Sequence, residues 1–199
     1  AGVGAEGGER CAAEVALAVG GLRWSRADGT LRDAAGEILA TGLAERDLGR
    51  VNAKFELLAR LRRGVAARGL DLQLRVDGRR RTDPLDAGER VEIRAGPPEA
   101  PYLTVFNLAN DGTAQLIFPW SDGEYGPRAT DEVLSFGVVV GPPFGMDHLV
   151  AVATEEDPRA LRLALRRGAP LSEVTPRIER LIAEGRGRFG LRTALTRAP

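Results

Sequence analysis

The chain has 199 residues, with 28 basic and 28 acidic side chains and so no formal net charge, and it contains one Cys and one His. One cysteine excludes an internal disulfide, and one Cys with one His excludes a four-ligand zinc site of the usual type. Balanced charge argues against a dedicated nucleic-acid binder, and no apolar run approaches the roughly 20 residues of a membrane helix. We therefore predict a soluble globular chain without membrane insertion, nucleic acid, metal or cofactor.

Two single residues add to this picture. Met146 is the only methionine and is internal, while the chain begins at Ala1, so we expect a piece of a longer protein. Of the 28 basic residues only Lys54 is a lysine, which fits the codon bias of a GC-rich genome. The compartment, cytoplasmic or periplasmic, stays open.

The N-terminal part begins with a glycine-rich segment, residues 1–13, which lacks hydrophobic periodicity and is predicted to be a linker. Turn signals at Asp28-Gly29 and at residues 33–36 then separate short runs at residues 22–25, 30–32 and 37–41. Asp-Gly between short strands is typical of a tight hairpin. This pattern predicts a small β-meander.

From Asp47 onward the apolar residues recur at intervals of three and four. This spacing predicts an amphipathic helix over 47–68, with Asp47 as N-cap and Gly69 as the stop. The arginines and Lys54 fall between the apolar positions, on the predicted polar side. The apolar face consists of Leu48, Val51, Phe55, Leu58, Leu61 and Val65. The meander and this helix form the first predicted unit, residues 14–69.

The second predicted unit, residues 70–199, begins with strands of period two. Leucines at 70, 72 and 74 alternate with polar residues, and further strands are predicted near residues 91–94, 102–108, 114–118, 132–139 and 148–154. Turn-rich connections without helices between these strands favour an antiparallel sheet or sandwich. Asp157-Pro158 and Thr175-Pro176 each predict a helix start, and residues 189–195 read as a strand or a frayed tail.

The predicted fold class is thus α+β. An antiparallel β-sandwich-like sheet carries an N-terminal meander and helix and two C-terminal helices. The two units can also form one compact unit.

Cysteine and histidine together suggest a thiol enzyme, because a thiolate nucleophile needs an imidazole base beside it. Cys11 lies in ERCAAEV, without the glycine-rich turn and aromatic residue of papain-type nucleophiles. His148 begins a predicted strand, on the face shared with Val150 and Val152. We therefore interpret His148 as a partly buried structural residue or a simple surface one, and a Cys11–His148 enzyme is the third hypothesis.

Three other polar patterns receive structural interpretations. Asn107, Asn110, Asp111 and Gly112 resemble a calcium loop faintly, but Asn-Asp-Gly is a good hairpin turn by itself. No phosphate-binding glycine motif occurs. An arginine-rich helix face is predicted to be solvated; it consists of Arg159, Arg162, Arg166 and Arg167.

Aromatic residues in turn-rich segments form the candidate recognition patch: Phe118, Trp120, Tyr125 and Phe144. Exposed aromatic side chains of this kind are typical of binding surfaces. The alternative is that Phe118 and Trp120 fold over the end of the sandwich and close its core. No catalytic, metal-binding or cofactor-binding residue is predicted.

The strand block resembles a bacterial domain of unknown function that lies C-terminal to caspase-like (clan CD, metacaspase-related) peptidase domains. The matching pieces are residues 88–94, 102–112, 116–119 and 141–158, and the meander with its helix also resembles the segment that precedes this domain. The His-Gly and Asp-x-Cys motifs of the peptidase are missing, since His148 precedes Leu149 and Cys11 follows Glu9-Arg10.

The resemblance implies a non-catalytic accessory region, for recognition or regulation, whose partner is a protein or peptide, such as the upstream peptidase domain. The alternative is a stand-alone peptide- or glycan-binding module of an envelope or secreted protein.

Overall fold

The computed structural model describes residues 14–17, 21–81, 84–121, 126–142 and 144–197. The first part of the described chain forms a small antiparallel sheet. Trp24 and Leu31 pair across two of its strands, both are buried, and Nε1 of Trp24 donates to the carbonyl oxygen of Leu43 at 3.1 Å. The predicted meander is confirmed, and the predicted linker lies outside the described residues. The strands are β1 (Glu14–Ala16), β2 (Arg23–Ser25), β3 (Thr30–Arg32) and β4 (Ile38–Ala40).

Helix α1 (Leu48–Ala67) agrees with the predicted helix to within one residue at each end. Its apolar residues Val51, Leu58 and Leu61 are fully buried, as predicted. Lys54 is buried too, at 1% exposure, so its placement on the polar side was wrong. Val51, Lys54, Leu58 and Leu61 are spaced by three, four and three residues, and a helix of 3.6 residues per turn carries them on one face.

Two further sheets form the sandwich. The outer sheet has the order β11-β8-β5-β6 and the central sheet the order β10-β9-β12-β13-β7. All of their pairings are antiparallel except the two-residue contact of β7 with β13. The strands are β5 (Leu72–Val76), β6 (Arg79–Arg80), β7 (Leu85–Asp86), β8 (Arg90–Ala95), β9 (Tyr102–Leu108), β10 (Ala114–Phe118), β11 (Leu134–Val139), β12 (Met146–Thr154) and β13 (Gly187–Arg197).

Side chains alternate between the two faces of the central sheet, and each face is buried against another layer. One face packs on the outer sheet, with Val105 and Ala151 against Ile93. The other face packs on three helices, with Phe106 and Val150 in one cluster with residues of α1, α2 (Arg159–Arg166) and α3 (Leu171–Ala183). The predicted α+β class with an antiparallel sandwich is confirmed, and the helices add a third layer.

The two C-terminal helices start at other residues than predicted. The carbonyl oxygen of Pro158 accepts the N–H of Arg162 at 3.0 Å, so Pro158 caps α2, and Asp157 forms an ion pair with Arg162 instead. Arg162 is only 3% exposed, which contradicts its placement on a solvated face. Helix α3 begins after Pro170, five residues before Pro176. Pro176 therefore lies inside α3, in its second turn, where it cannot donate the helical hydrogen bond to the carbonyl of Ser172.

Strand β13 resolves the ambiguity over the C-terminal residues 189–195. It pairs with β12 over nine residues and lies inside the central sheet. Gly64 of α1 crosses it so closely that a Cβ on Gly64 would lie 2.9 Å from the Phe189 ring. Helix α1, from the first predicted unit, therefore packs directly on a strand of the second.

Candidate functional site

Three aromatic side chains cluster at one end of the sandwich. Phe118 and Phe136 stack with ring centroids 6.1 Å apart, and Trp120 lies edge-on to both, at 5.4 and 5.1 Å. Phe118 is 1% exposed and belongs to the core, whereas Trp120 is 55% exposed. We call Phe118, Trp120 and Phe136 the aromatic trio. Each of the two interpretations of this region therefore applies to one residue: Phe118 closes the core, and Trp120 lies at the surface.

The other members of the predicted patch lie elsewhere. Tyr125 is outside the described residues. Phe144 precedes β12 at the end where β12 begins and β9 finishes, since His148 pairs with Leu108. Phe118 pairs with Val105 in the middle of β9, and from there the antiparallel chain runs toward the start of β9, so Trp120 and Phe144 lie toward opposite ends of the central sheet. The structure therefore does not bring Phe144 together with the aromatic trio.

A groove adjoins Trp120 at the edge of the central sheet. It has a volume of about 290 Å³ and lies between β10 and the C-terminal end of α2. Its lining includes Gln115, Pro119, Trp120, Leu165 and Arg166. Strand β10 is the last strand of the central sheet on this side, because β9 is its only paired neighbour among the described strands.

A second cavity, which we call the mouth cavity, lies at the other end of the sandwich, between the two sheets. It has a volume of about 280 Å³, and its walls are largely apolar side chains of both sheets, such as Leu74, Ile93 and Leu149. Asn107 and Asp147 also line it. Both lie on the inner face of the central sheet, because they alternate with residues that face the helices.

Asp147 is the centre of a hydrogen-bonded network at this end. Its Oδ2 accepts from Nδ2 of Asn107 at 3.2 Å, and its Oδ1 accepts from the backbone N–H of Asn110 at 3.0 Å. Burial raises the pKa of Asp147, while the positive charge of Lys54 acts in the opposite direction. The side-chain amide of Asn110 also donates to the carbonyl oxygen of Phe144, which ties the segment before β12 to the turn after β9.

Lys54 approaches the same network from the helix layer. Its Nζ donates to the carbonyl oxygens of Ala109, at 2.9 Å, and of Met146, at 2.6 Å. Burial lowers the pKa of Lys54 to about 8, although the carboxylates of Asp147 and Asp111 favour its charged form. The ammonium therefore fastens α1 to the end of β9 and the start of β12.

His148 lies on the helix side of β12, on the face of Val150 and Val152 as predicted. It is 1% exposed, its ring meets Phe55 edge-on at 6.4 Å, and Nδ1 has no hydrogen-bond partner within the described structure. Burial lowers the pKa of His148 to about 3, helped by the positive charges of Lys54 and Arg62. This enclosed, neutral imidazole has the surroundings of a structural residue. Cys11, the other member of the third hypothesis, lies outside the described residues.

We expect His148 to make the protein acid-sensitive. Its folded pKa of about 3 is below the unfolded value of 6.5, so the unfolded chain binds the proton first and stability falls as pH decreases from 6.5 toward 3. The free energy of unfolding should fall by about 2 kcal/mol between pH 7 and pH 5 from this group alone. Urea denaturation at the two pH values measures it. In His148→Gln, which cannot titrate, that part of the loss should vanish whatever the variant's own stability; an unchanged pH dependence would contradict the assignment.

The acidic loop that resembles a calcium site is a turn. Oδ1 of Asp111 accepts both the backbone N–H and the hydroxyl of Thr113, at 2.9 and 2.8 Å, and the N–H of Gly112 donates to the carbonyl of Ala109. Within the described ranges, no group of three or more His, Cys, Asp or Glu side chains is placed to hold a metal ion. In the same part of the chain, no helix is both long and apolar enough to cross a membrane.

Sequence reasoning did not identify the polar network around Asp147 and Lys54. One signal was present: Lys54 is the only lysine among the 28 basic residues of the chain, and it falls at helical spacing from Val51 and Leu58. The pairing of β9 with β12, which brings Asn107 to Asp147, has no comparable local signal. Comparison of the chain with family models, curated proteins and solved structures finds no significant match.

Proposed function

We propose that this chain is a non-catalytic recognition module that binds an extended segment of another protein along β10, with Trp120 as the anchor. The observation that carries the proposal is the position of Trp120: it is 55% exposed at the rim of a groove that follows the edge strand of the central sheet. Large exposed aromatic side chains beside a groove are the residues that most often dominate binding energy.

An edge strand suits an extended partner for a physical reason. It presents backbone N–H and C=O groups that another strand can pair with, while pockets beside the edge select side chains. The groove between β10 and α2 is such a pocket. Trp120 is held against Phe118 and Phe136, so it loses little side-chain freedom when a partner covers it.

The proposed source of the segment follows from the sequence resemblance, in which the partner is a caspase-like peptidase domain. In that case the module would regulate or direct the peptidase. A segment of an unrelated protein would use the same edge, and the chain would then be a stand-alone binding module.

Trp120→Ala tests the anchor. Peptides are first selected from a random display library for binding to the intact chain. Their affinity for the variant should be lower by about tenfold or more, as is typical of a truncated anchor residue. The free energy of unfolding should fall by about 1–2 kcal/mol, well below the loss for a buried aromatic residue, because more than half of the side chain is already exposed. Titration calorimetry and urea denaturation measure the two quantities.

The matched control is Ile38→Ala, since Ile38 is similarly exposed, at 48%, but lies on the meander. It should leave peptide affinity unchanged. Hydrogen exchange should show that bound peptide protects the amides of β10. Protection elsewhere, or equal affinity of wild type and Trp120→Ala, would refute the proposal. Trp120-dependent binding of a glycan without protection of β10 would favour the glycan alternative.

A further inference from the structure

We infer that the mouth cavity is a second binding site, for a ligand that carries a primary ammonium group on an apolar body. This site goes beyond the function proposed above, because it lies at the opposite end of the central sheet from Trp120. It is formed between the inner faces of the two sheets, where Asn107 and Asp147 replace the apolar residues of the core.

The size and lining of the cavity suit a small organic group. A volume of about 280 Å³ is nearly twice that of a core cavity of roughly 150 Å³ that binds benzene. Leu74, Val91 and Ile93 of the outer sheet face Leu149 of the central sheet across it. Predominantly apolar walls with a few convergent polar groups are the usual composition of ligand pockets.

The polar end of the cavity offers hydrogen-bond acceptors. Nδ2 of Asn107 donates to Oδ2 of Asp147, so the amide holds the Asp147 carboxylate in place at the polar end of the cavity. The carboxylate of Asp147 accepts two hydrogen bonds from the protein and has lone pairs for more. The hydroxyl of Thr196, also in the lining, is already bonded to Gly145. The lining therefore offers mainly acceptors to a ligand, while the side-chain amide of Gln115 can also donate.

Charge favours an ammonium group over other donors. Lys54 donates to the carbonyls of Ala109 and Met146, and within the described structure no ion pair of 4 Å or less joins it to Asp147, so the Asp147 carboxylate can still pair with a cation from the cavity side. An ammonium group provides three N–H donors, and charge-assisted hydrogen bonds are about twice as strong as neutral ones. An anion would instead be placed against Asp147. The ammonium can belong to a free amine or to the N-terminal residue of a peptide.

The experiment compares two probes that share a ring and differ in charge, 2-phenylethylamine and 3-phenylpropionate, by NMR titration of the intact chain. We expect methyl shifts at Val91, Ile93 and Leu149, and an affinity for the amine about tenfold or more above that for the carboxylate. Asp147→Asn keeps the side-chain shape and should remove this preference. In the wild type, saturating amine should lower the pKa of Asp147, because a neighbouring cation favours the ionised form.

Two further arms identify the source of the ammonium and separate this site from the first. If Phe-Gly-Gly amide binds as tightly as 2-phenylethylamine, and N-acetylation of the peptide abolishes its binding, then the ligand is a peptide N-terminus. If 2-phenylethylamine binds and the peptide does not, the ligand is a small amine. Trp120→Ala should leave amine binding unchanged, so either site can fail independently. Equal or tighter binding of 3-phenylpropionate, shifts outside the mouth cavity, or an unaltered preference in Asp147→Asn would overturn the inference.

Discussion

Gly112→Ala is expected to destabilise the protein by about 3 kcal/mol, from a strained backbone and from overpacking together. Gly112 has φ +82°, in the left-handed region, and a Cβ there would lie 2.5 Å from the backbone carbonyl of Arg50 in the first turn of α1. Neither backbone can move freely, because the turn joins β9 to β10 and Val51 is fully buried. Urea denaturation of both proteins gives the difference directly.

Gly88→Ala is the matched control for this prediction. Gly88 has nearly the same φ, +81°, but a Cβ on it would meet nothing within 4 Å. It should therefore cost about 1 kcal/mol, the conformational part alone. The difference between the two variants isolates the steric contact between the β9–β10 turn and α1. Equal losses would show that this contact does not constrain the fold.

Lys54→Met is expected to cost about 3 kcal/mol, although it replaces a polar residue with an apolar one inside the protein. Methionine fills a similar length but leaves the carbonyls of Ala109 and Met146 without their donor, and it leaves the half-buried Asp147 without the nearby positive charge. Removing one member of a buried polar group is costly for this reason. The control, Arg63→Met on the exposed side of α1, should change stability by less than about 0.5 kcal/mol.

The pH dependence provides a second signature of Lys54. Its folded pKa of about 8 is below its unfolded value of 10.5, so the unfolded chain holds the proton longer. Wild-type stability should therefore gain a contribution that rises with pH between about 8 and 10.5. Lys54→Met should lack that rise. A variant that follows the wild-type curve, or one as stable as Arg63→Met, would show that the ammonium does not hold these elements together.

The sequence was most informative where a single period governs a whole element. Helix α1 and the alternating strands followed from spacing alone, and so did the face of His148. The same argument misplaced Lys54, because residue type outweighed position: a charged side chain was assigned to solvent although its spacing matched the buried stripe. Arg162 was misplaced in the same way. The partners of Lys54, such as Met146, are distant in the chain, whereas Arg162 pairs with nearby Asp157.

The rest depends on contacts that local patterns do not encode. Strand β13 pairs with β12 across two intervening helices, so its apolar run alone could not distinguish a strand from a tail. The candidate patch combined residues that resemble one another in composition, but strand register placed Trp120 and Phe144 at opposite ends of the central sheet. The mouth cavity arises only when the two sheets face each other, and Asn107 meets Asp147 only through that same register.

The burial of the only lysine affects how the folded chain reacts with amine-directed reagents. Of the 28 basic side chains, all but Lys54 are arginines, so the protein surface presents no lysine amine to acylating reagents, amine-reactive cross-linkers or lysine-specific proteases. Acylation of Lys54 requires α1 to separate from the central sheet. The rate at which this amine is acylated therefore reports how often the helix layer opens, in a protein that needs no introduced label.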